Sequence, residues 1–168
     1  MTGVQTCALP ILIDAQRDEA WEVRKRATWT LCRFGERAAT KPVLAALVGA
    51  LRDAEWRVRQ RAAKALGQLG EPAAIEPVLT ALVGVALRDA ADVRRAAAEA
   101  LGKLGERAAT EPVLTALVGA LRDRNEDVRE EAAQALGQLG ERAATEPVIT
   151  ALVDALRDAD WRVRKNAA

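Results

Sequence analysis

Asp53-Ala54-Glu55-Trp56-Arg57-Val58-Arg59-Gln60-Arg61-Ala62-Ala63-Lys64-Ala65-Leu66-Gly67-Gln68-Leu69-Gly70-Glu71 decides the fold, because its pattern returns along the chain at a fixed interval. Val-Arg recurs at Val23, Val58, Val93, Val128 and Val163, Gly-Glu at Gly35, Gly70, Gly105 and Gly140, and proline at Pro42, Pro77, Pro112 and Pro147. Each series advances by 35 residues, the mark of a stacked array in which each unit buries its apolar face on its neighbours.

Within one unit, Asp53 is placed to cap a helix from about Ala54 to Leu69, which Gly70 ends. Glu71-Pro72-Ala73-Ala74 connects to a second helix that opens near Glu76-Pro77, where a proline costs no hydrogen bond, and runs to about Leu87. On a wheel of about 100° per residue, Val58, Ala62, Ala65, Leu66 and Leu69 share the core arc. Arg57, Gln60, Arg61, Lys64 and Gln68 lie opposite, while Trp56, Ala63 and Gly67 form a flank open to a neighbouring helix. Val78, Leu79, Leu82, Val83 and Ala86 give the second helix a wide apolar face, with small residues on its outer strip.

Arg59 falls on the buried side, where a charge needs a partner. The loop acids Asp18, Asp53, Asp89, Asp123 and Asp158 recur with Arg24, Arg59, Arg94, Arg129 and Arg164. We therefore expect an Arg–Asp ladder between repeats in preference to a row of phosphate sites. At the third junction Arg88-Asp89 comes one residue late, which predicts a second helix with one extra residue, or a bulge, and a loop one shorter.

Composition narrows the function. The chain has 168 residues, 25 basic and 24 acidic side chains, and no histidine. That balance gives no field for nucleic acid or an anionic membrane. The missing histidine excludes His-ligated metals and Ser-His-Asp triads. No phosphate loop and no thiol with an adjacent base is present. Cys7 and Cys32 form no disulfide framework, which fits a reducing compartment or mere indifference to redox, and the expected setting is cytoplasmic. No cofactor is expected.

Residues 1–11 resemble the in-frame translation of a sequencing-library adapter and share nothing with the repeat, which resumes at Leu12-Ile13-Asp14-Ala15. The expected organisation is a non-native leader at 1–11 and one solenoid at 12–168. The solenoid comprises a partial repeat 12–18, repeats 19–53, 54–88, 89–123 and 124–158, and a partial repeat 159–168. The chain then reads as a fragment of a larger protein assembled from environmental DNA.

The string Asp-x-x-Trp-x-Val-Arg-x-x-Ala-Ala-x-Ala-Leu-Gly-x-Leu-Gly-Glu of 53–71 resembles the HEAT-like repeat named after phycobilisome lyases. It is also similar to the artificial αRep scaffolds built from that repeat. The resemblance covers residues 12–168 and implies an all-α, right-handed α-solenoid of helical hairpins, with the Val-Arg helices on the concave face. Relatives include bilin lyases, di-iron hydroxylases and DNA-alkylation glycosylases. The hydroxylases need paired His-Glu motifs, which this chain lacks.

On that face the expected binding residues are Lys25, Arg26, Trp29, Arg33, Arg57, Gln60, Arg61, Lys64, Arg95, Glu99, Glu130, Glu131 and Gln134. Charge runs from basic in the first two units to acidic in the fourth, so continuous duplex binding is not expected. A protein or peptide of complementary pattern suits the gradient, and drift at solvated positions is the competing reading. Trp29, at the position of Lys64, reads as an exposed aromatic framed by cations; Trp21, Trp56 and Trp161 read as packing residues. The sequence thus points to a non-catalytic scaffold for a protein or peptide. A bilin-lyase-like chromophore-handling protein and a self-associating structural solenoid are the alternatives. The uncapped apolar ends favour end-to-end association.

Overall fold

The glycine–proline punctuation cuts the chain into short helices. The computed structural model describes residues 3–168, with side chains from residue 8, and is all-α. Its helices are α1 (Gly3–Asp14), α2 (Trp21–Cys32), α3 (Lys41–Ala50), α4 (Trp56–Gln68), α5 (Glu76–Arg88), α6 (Ala91–Lys103), α7 (Glu111–Ala120), α8 (Glu126–Gln138), α9 (Glu146–Ala155) and α10 (Trp161–Ala167). The even-numbered helices carry Val-Arg and stack as one row, and the odd-numbered helices stack as a second row behind them. Short 3₁₀ turns such as Glu71–Ala73 join even helices to the odd helices that follow.

Helices α2, α4, α6 and α8 each stop before a glycine in the left-handed region, with φ between 59° and 70° at Gly35, Gly70, Gly105 and Gly140. A side chain there would be strained, so glycine at each hairpin bend is a backbone requirement. Each full odd helix then opens with proline in its first turn.

Between the rows lies one continuous core. Leu66, Leu69, Leu101, Leu104 and Leu139 of the front row are fully buried, as are Val43, Leu47, Val78, Leu82 and Leu117 behind them. Each such side chain stabilises the array by about 1.5–3 kcal/mol on transfer from water. Along the front row, backbones approach closely at small residues. A Cβ on Gly67 would sit 2.8 Å from Ala100 Cα, and one on Gly102 would sit 2.8 Å from Ala135 Cα. The odd helices touch one another at fewer points, so the even row, the expected inner side of the stack, is the more tightly packed.

Two local expectations are corrected. Helix α4 starts at Trp56, not Ala54, and is capped by Glu55, whose side chain accepts from the Arg57 amide. Asp53 accepts from the Glu55 amide at 2.9 Å, because its carboxylate is already held by Arg24. At the third junction α5 has 13 residues where α3, α7 and α9 have 10, and only Asp89-Ala90 separate it from α6. The shift is three residues, not one.

Helix α1 runs without a break across the predicted boundary at residue 11, carrying Pro10 inside it. Leu9, Leu12 and Ile13 pack on the core. Residues 1–2 of the predicted leader lie outside the described residues.

Candidate binding face of the inner helix row

Successive even helices present equivalent side chains in phase, so the inner face is a set of parallel columns. On its first two helices, Lys25, Arg26, Trp29 and Arg61 line a cleft of about 310 Å³. The Arg26 and Arg33 guanidinium groups lie 5.3 and 5.2 Å from the centre of the Trp29 ring. Trp29 is not the open aromatic expected. It is half-buried and packs on the core. Its carbonyl accepts from the Cys32 thiol at 2.8 Å, and burial pushes that thiol up from its ordinary value.

Lys25 also stands over Trp21 at 4.6 Å, and Arg57 of the next unit covers the other cationic position at 5.5 Å. Arg57 further stacks on Trp56 and pairs with Glu55 at 2.9 Å. Gln60 and Lys64 are half-buried, and Arg61 is exposed. Among the described residues, Lys25, Arg26, Arg33, Arg61 and Lys64 form no salt bridge.

The acidic end behaves differently. Arg162 donates to Asp127 at 2.8 Å and contacts Glu130 at 3.1 Å, so part of the fourth unit's negative charge is neutralised from the fifth. Asp127 and Arg162 are 35 residues apart, which places them in one column. That spacing was the available signal, and counting each helix separately missed it. Glu99 pairs with Lys103 at 2.5 Å. Glu131 has no such partner among the described residues. Burial first, and then Glu99, push its carboxyl above the usual range. Arg95 is half-buried beside this group, with its Nε enclosed and without a hydrogen-bond acceptor, and Gln134 is exposed.

At one edge of the stack, arginines reach from each unit to the next. Arg24 holds Asp53, Arg59 holds Asp89, Arg94 holds Asp123 and Arg129 holds Asp158. Each uses Nε and Nη2 on the two carboxylate oxygens at 2.6–2.9 Å. The Nη1 of each arginine donates to the backbone carbonyl of its own loop aspartate; Arg164 does the same at Asp158 and Ala159. Asp18 is exposed, and its carboxylate accepts from the Ala20 amide. With donors committed on both sides, Arg24, Arg59, Arg94 and Arg129 hold repeats together and offer no open fork to a ligand.

Among the described residues, no group of acidic, cysteine or histidine side chains is placed to hold a metal ion. No described helix is long and apolar enough to cross a membrane.

Comparison places this architecture. The HEAT-repeat family model matches residues 9–84 and 81–168. No curated protein matches the sequence. Among solved structures, the chain is similar to an engineered protein at 21% identity, over 95% of this chain and 76% of that one, with a TM-score of 0.77. It is similar to a designed armadillo repeat protein in complex with the peptide (KR)4, at 23% identity over 98% and 80%, TM-score 0.74. The complex of CpcE and CpcF of phycocyanin lyase from Nostoc sp. PCC7120 is similar at 26% identity over 96% of both chains, TM-score 0.71. With the family model covering nearly the whole solenoid, the chain belongs to the HEAT-repeat family.

Proposed function

We propose that this chain is a non-catalytic binding scaffold whose inner helix row docks an acidic protein or peptide segment. One observation carries the reading. Lys25, Arg26 and Arg61 surround a half-buried indole in a cleft and are paired with no carboxylate among the described residues, whereas Arg162 and Lys103 already engage acidic groups further along the face. Unpaired cations over an aromatic floor suit a carboxylate flanked by one apolar anchor. The likeness to a designed repeat protein in complex with a peptide supports use of such a fold for extended segments.

The test is anisotropy of a labelled Glu-rich peptide carrying one leucine, set against a Lys/Arg-rich peptide of equal length. The acidic peptide should bind preferentially, and more weakly as salt rises. Trp29→Ala combined with Arg61→Ala should lower affinity by about tenfold or more. Equal binding of both peptides, or an unchanged affinity in that variant, would overturn the assignment. The likeness to phycocyanin lyase subunits over 96% of both chains supports a second reading as a chromophore-handling protein. Visible absorbance retained by the purified protein after mixing with a bilin would favour it.

A further inference from the structure

Laid side by side at the 35-residue interval, the even helices put Arg26, Arg61, Ala96 and Glu131 in one column of the inner row. The contact between Asp127 and Arg162, one interval apart, shows that equivalent positions meet across a junction. Two guanidinium groups therefore stand at one end of the column and a carboxylate at the other. Ala96 between them is buried and adds no charge.

Glu131 differs from the acids around it. Lys103 engages Glu99, and Arg162 engages Asp127 and Glu130. Glu131 is half-buried, yet no cation pairs with it among the described residues. Burial and Glu99 push its carboxyl upward, and the more distant pull of Arg95 and Lys103 does not offset them. A half-buried carboxylate without a counter-charge opposes folding, and a cation brought by a partner relieves it.

Spacing says where on the partner that cation sits. A Cβ on Gly67 or Gly102 would run into the backbone of the next even helix, so these helices pack closely. Closely packed axes lie about 8–10 Å apart, which puts Arg61 and Glu131, two steps apart, at roughly 16–20 Å. An extended chain advances about 3.3 Å per residue and returns a side chain to the same face at every second position. Four residues then cover about 13 Å and fall short, whereas six cover about 20 Å and fit.

We propose that the acidic segment docked on the first two units continues along this column and seats a lysine or arginine on Glu131, six residues from the carboxylate held by Arg61. The partner is then a bipolar segment with a fixed orientation, its acidic end on α2 and α4 and its basic end on α8. This assignment rests on the acidic-segment reading above.

Anisotropy with two labelled peptides tests it. One is the Glu-rich, leucine-bearing peptide with an alanine tail; the other has a single lysine in that tail, six residues from the nearest glutamate. The tail is placed at either terminus in turn, because the chain direction of the partner is open. In one placement the lysine should tighten binding about fivefold. A lysine five residues away, on the opposite face of the extended chain, should add less. Glu131→Gln should bring the ratio of the two affinities to about one, and Glu131→Lys should invert the preference toward a glutamate at that tail position. If the alanine-tailed peptide does not bind, the acidic-segment reading itself fails. If it binds, and lysine gives no gain in either placement or Glu131→Gln keeps the gain, the bipolar assignment alone is overturned.

Discussion

Arg94 grips Asp123, 29 residues ahead, with two bonds of 2.7 Å, while its third nitrogen donates to the carbonyl of Asp89 behind it. One side chain thus joins two consecutive loops, and it is the most enclosed arginine of the ladder, with 8% of its side chain exposed.

Removing either partner leaves the other short of its counter-charge in a largely dry site. Asp123→Ala and Arg94→Ala should each lower unfolding free energy by about 1–3 kcal/mol. A double-mutant cycle by urea denaturation measures the pair directly, and a coupling within error of zero would mean that the contact is only geometric.

Acid should unfold the array through these carboxylates. The Arg24 guanidinium holds Asp53 below the usual carboxylate range, and Arg129 does the same for Asp158. For Asp89 and Asp123, burial pushes upward but is outweighed by Arg59 and Arg94. A carboxyl whose folded value is depressed adds stability above its unfolded value of roughly 3.9, and loses it as pH falls through the folded value. Thermal melts should hold steady to about pH 5 and fall steeply below about pH 4. Asp53→Asn should flatten that fall.

Glu131 carries the opposite sign. Its raised folded value means that it opposes folding once pH rises past its unfolded value of roughly 4.3. Glu131→Gln should therefore raise the melting temperature at neutral pH by about 1–3 °C and leave it unchanged near pH 3. A fall at neutral pH would show that Glu131 has a stabilising contact.

Two helical glycines should respond in opposite directions to alanine. Gly67→Ala drives a methyl group against the Ala100 backbone and should destabilise by about 1–3 kcal/mol. Gly84→Ala meets nothing within 4 Å on the exposed side of α5 and should stabilise by up to about 1 kcal/mol through helix propensity. Guanidinium midpoints of the two variants check both signs.

The hairpin plan was legible because its marks are local: the Val-Arg core position, the left-handed glycine and the first-turn proline each carry their own backbone reason. What escaped the sequence lies between units. A helical wheel places Arg59 on the buried side, yet it cannot say that the partner is Asp89 ahead rather than Asp53 beside it. It puts Trp29 on the polar arc, but half-burial depends on how far the neighbouring helix stands away. The neutralisation of Asp127 and Glu130 by Arg162 needs the stacking of columns, which appears only when successive repeats are laid side by side.

The long helix α5 has a further consequence for anything that reads this surface. Residues 47–58 and 82–93 contain the same number of positions, so nothing is inserted; the border between helix and loop moves. Asp89 still reaches Arg59, 30 residues behind it where other junctions use 29. The front row therefore keeps an even stride from Val23 to Val163, while the rear row breaks step at Leu87-Arg88. A partner laid along the front would find a ruler with uniform graduations. One laid along the back would find a landmark, and with it a means of telling the middle of the array from either half.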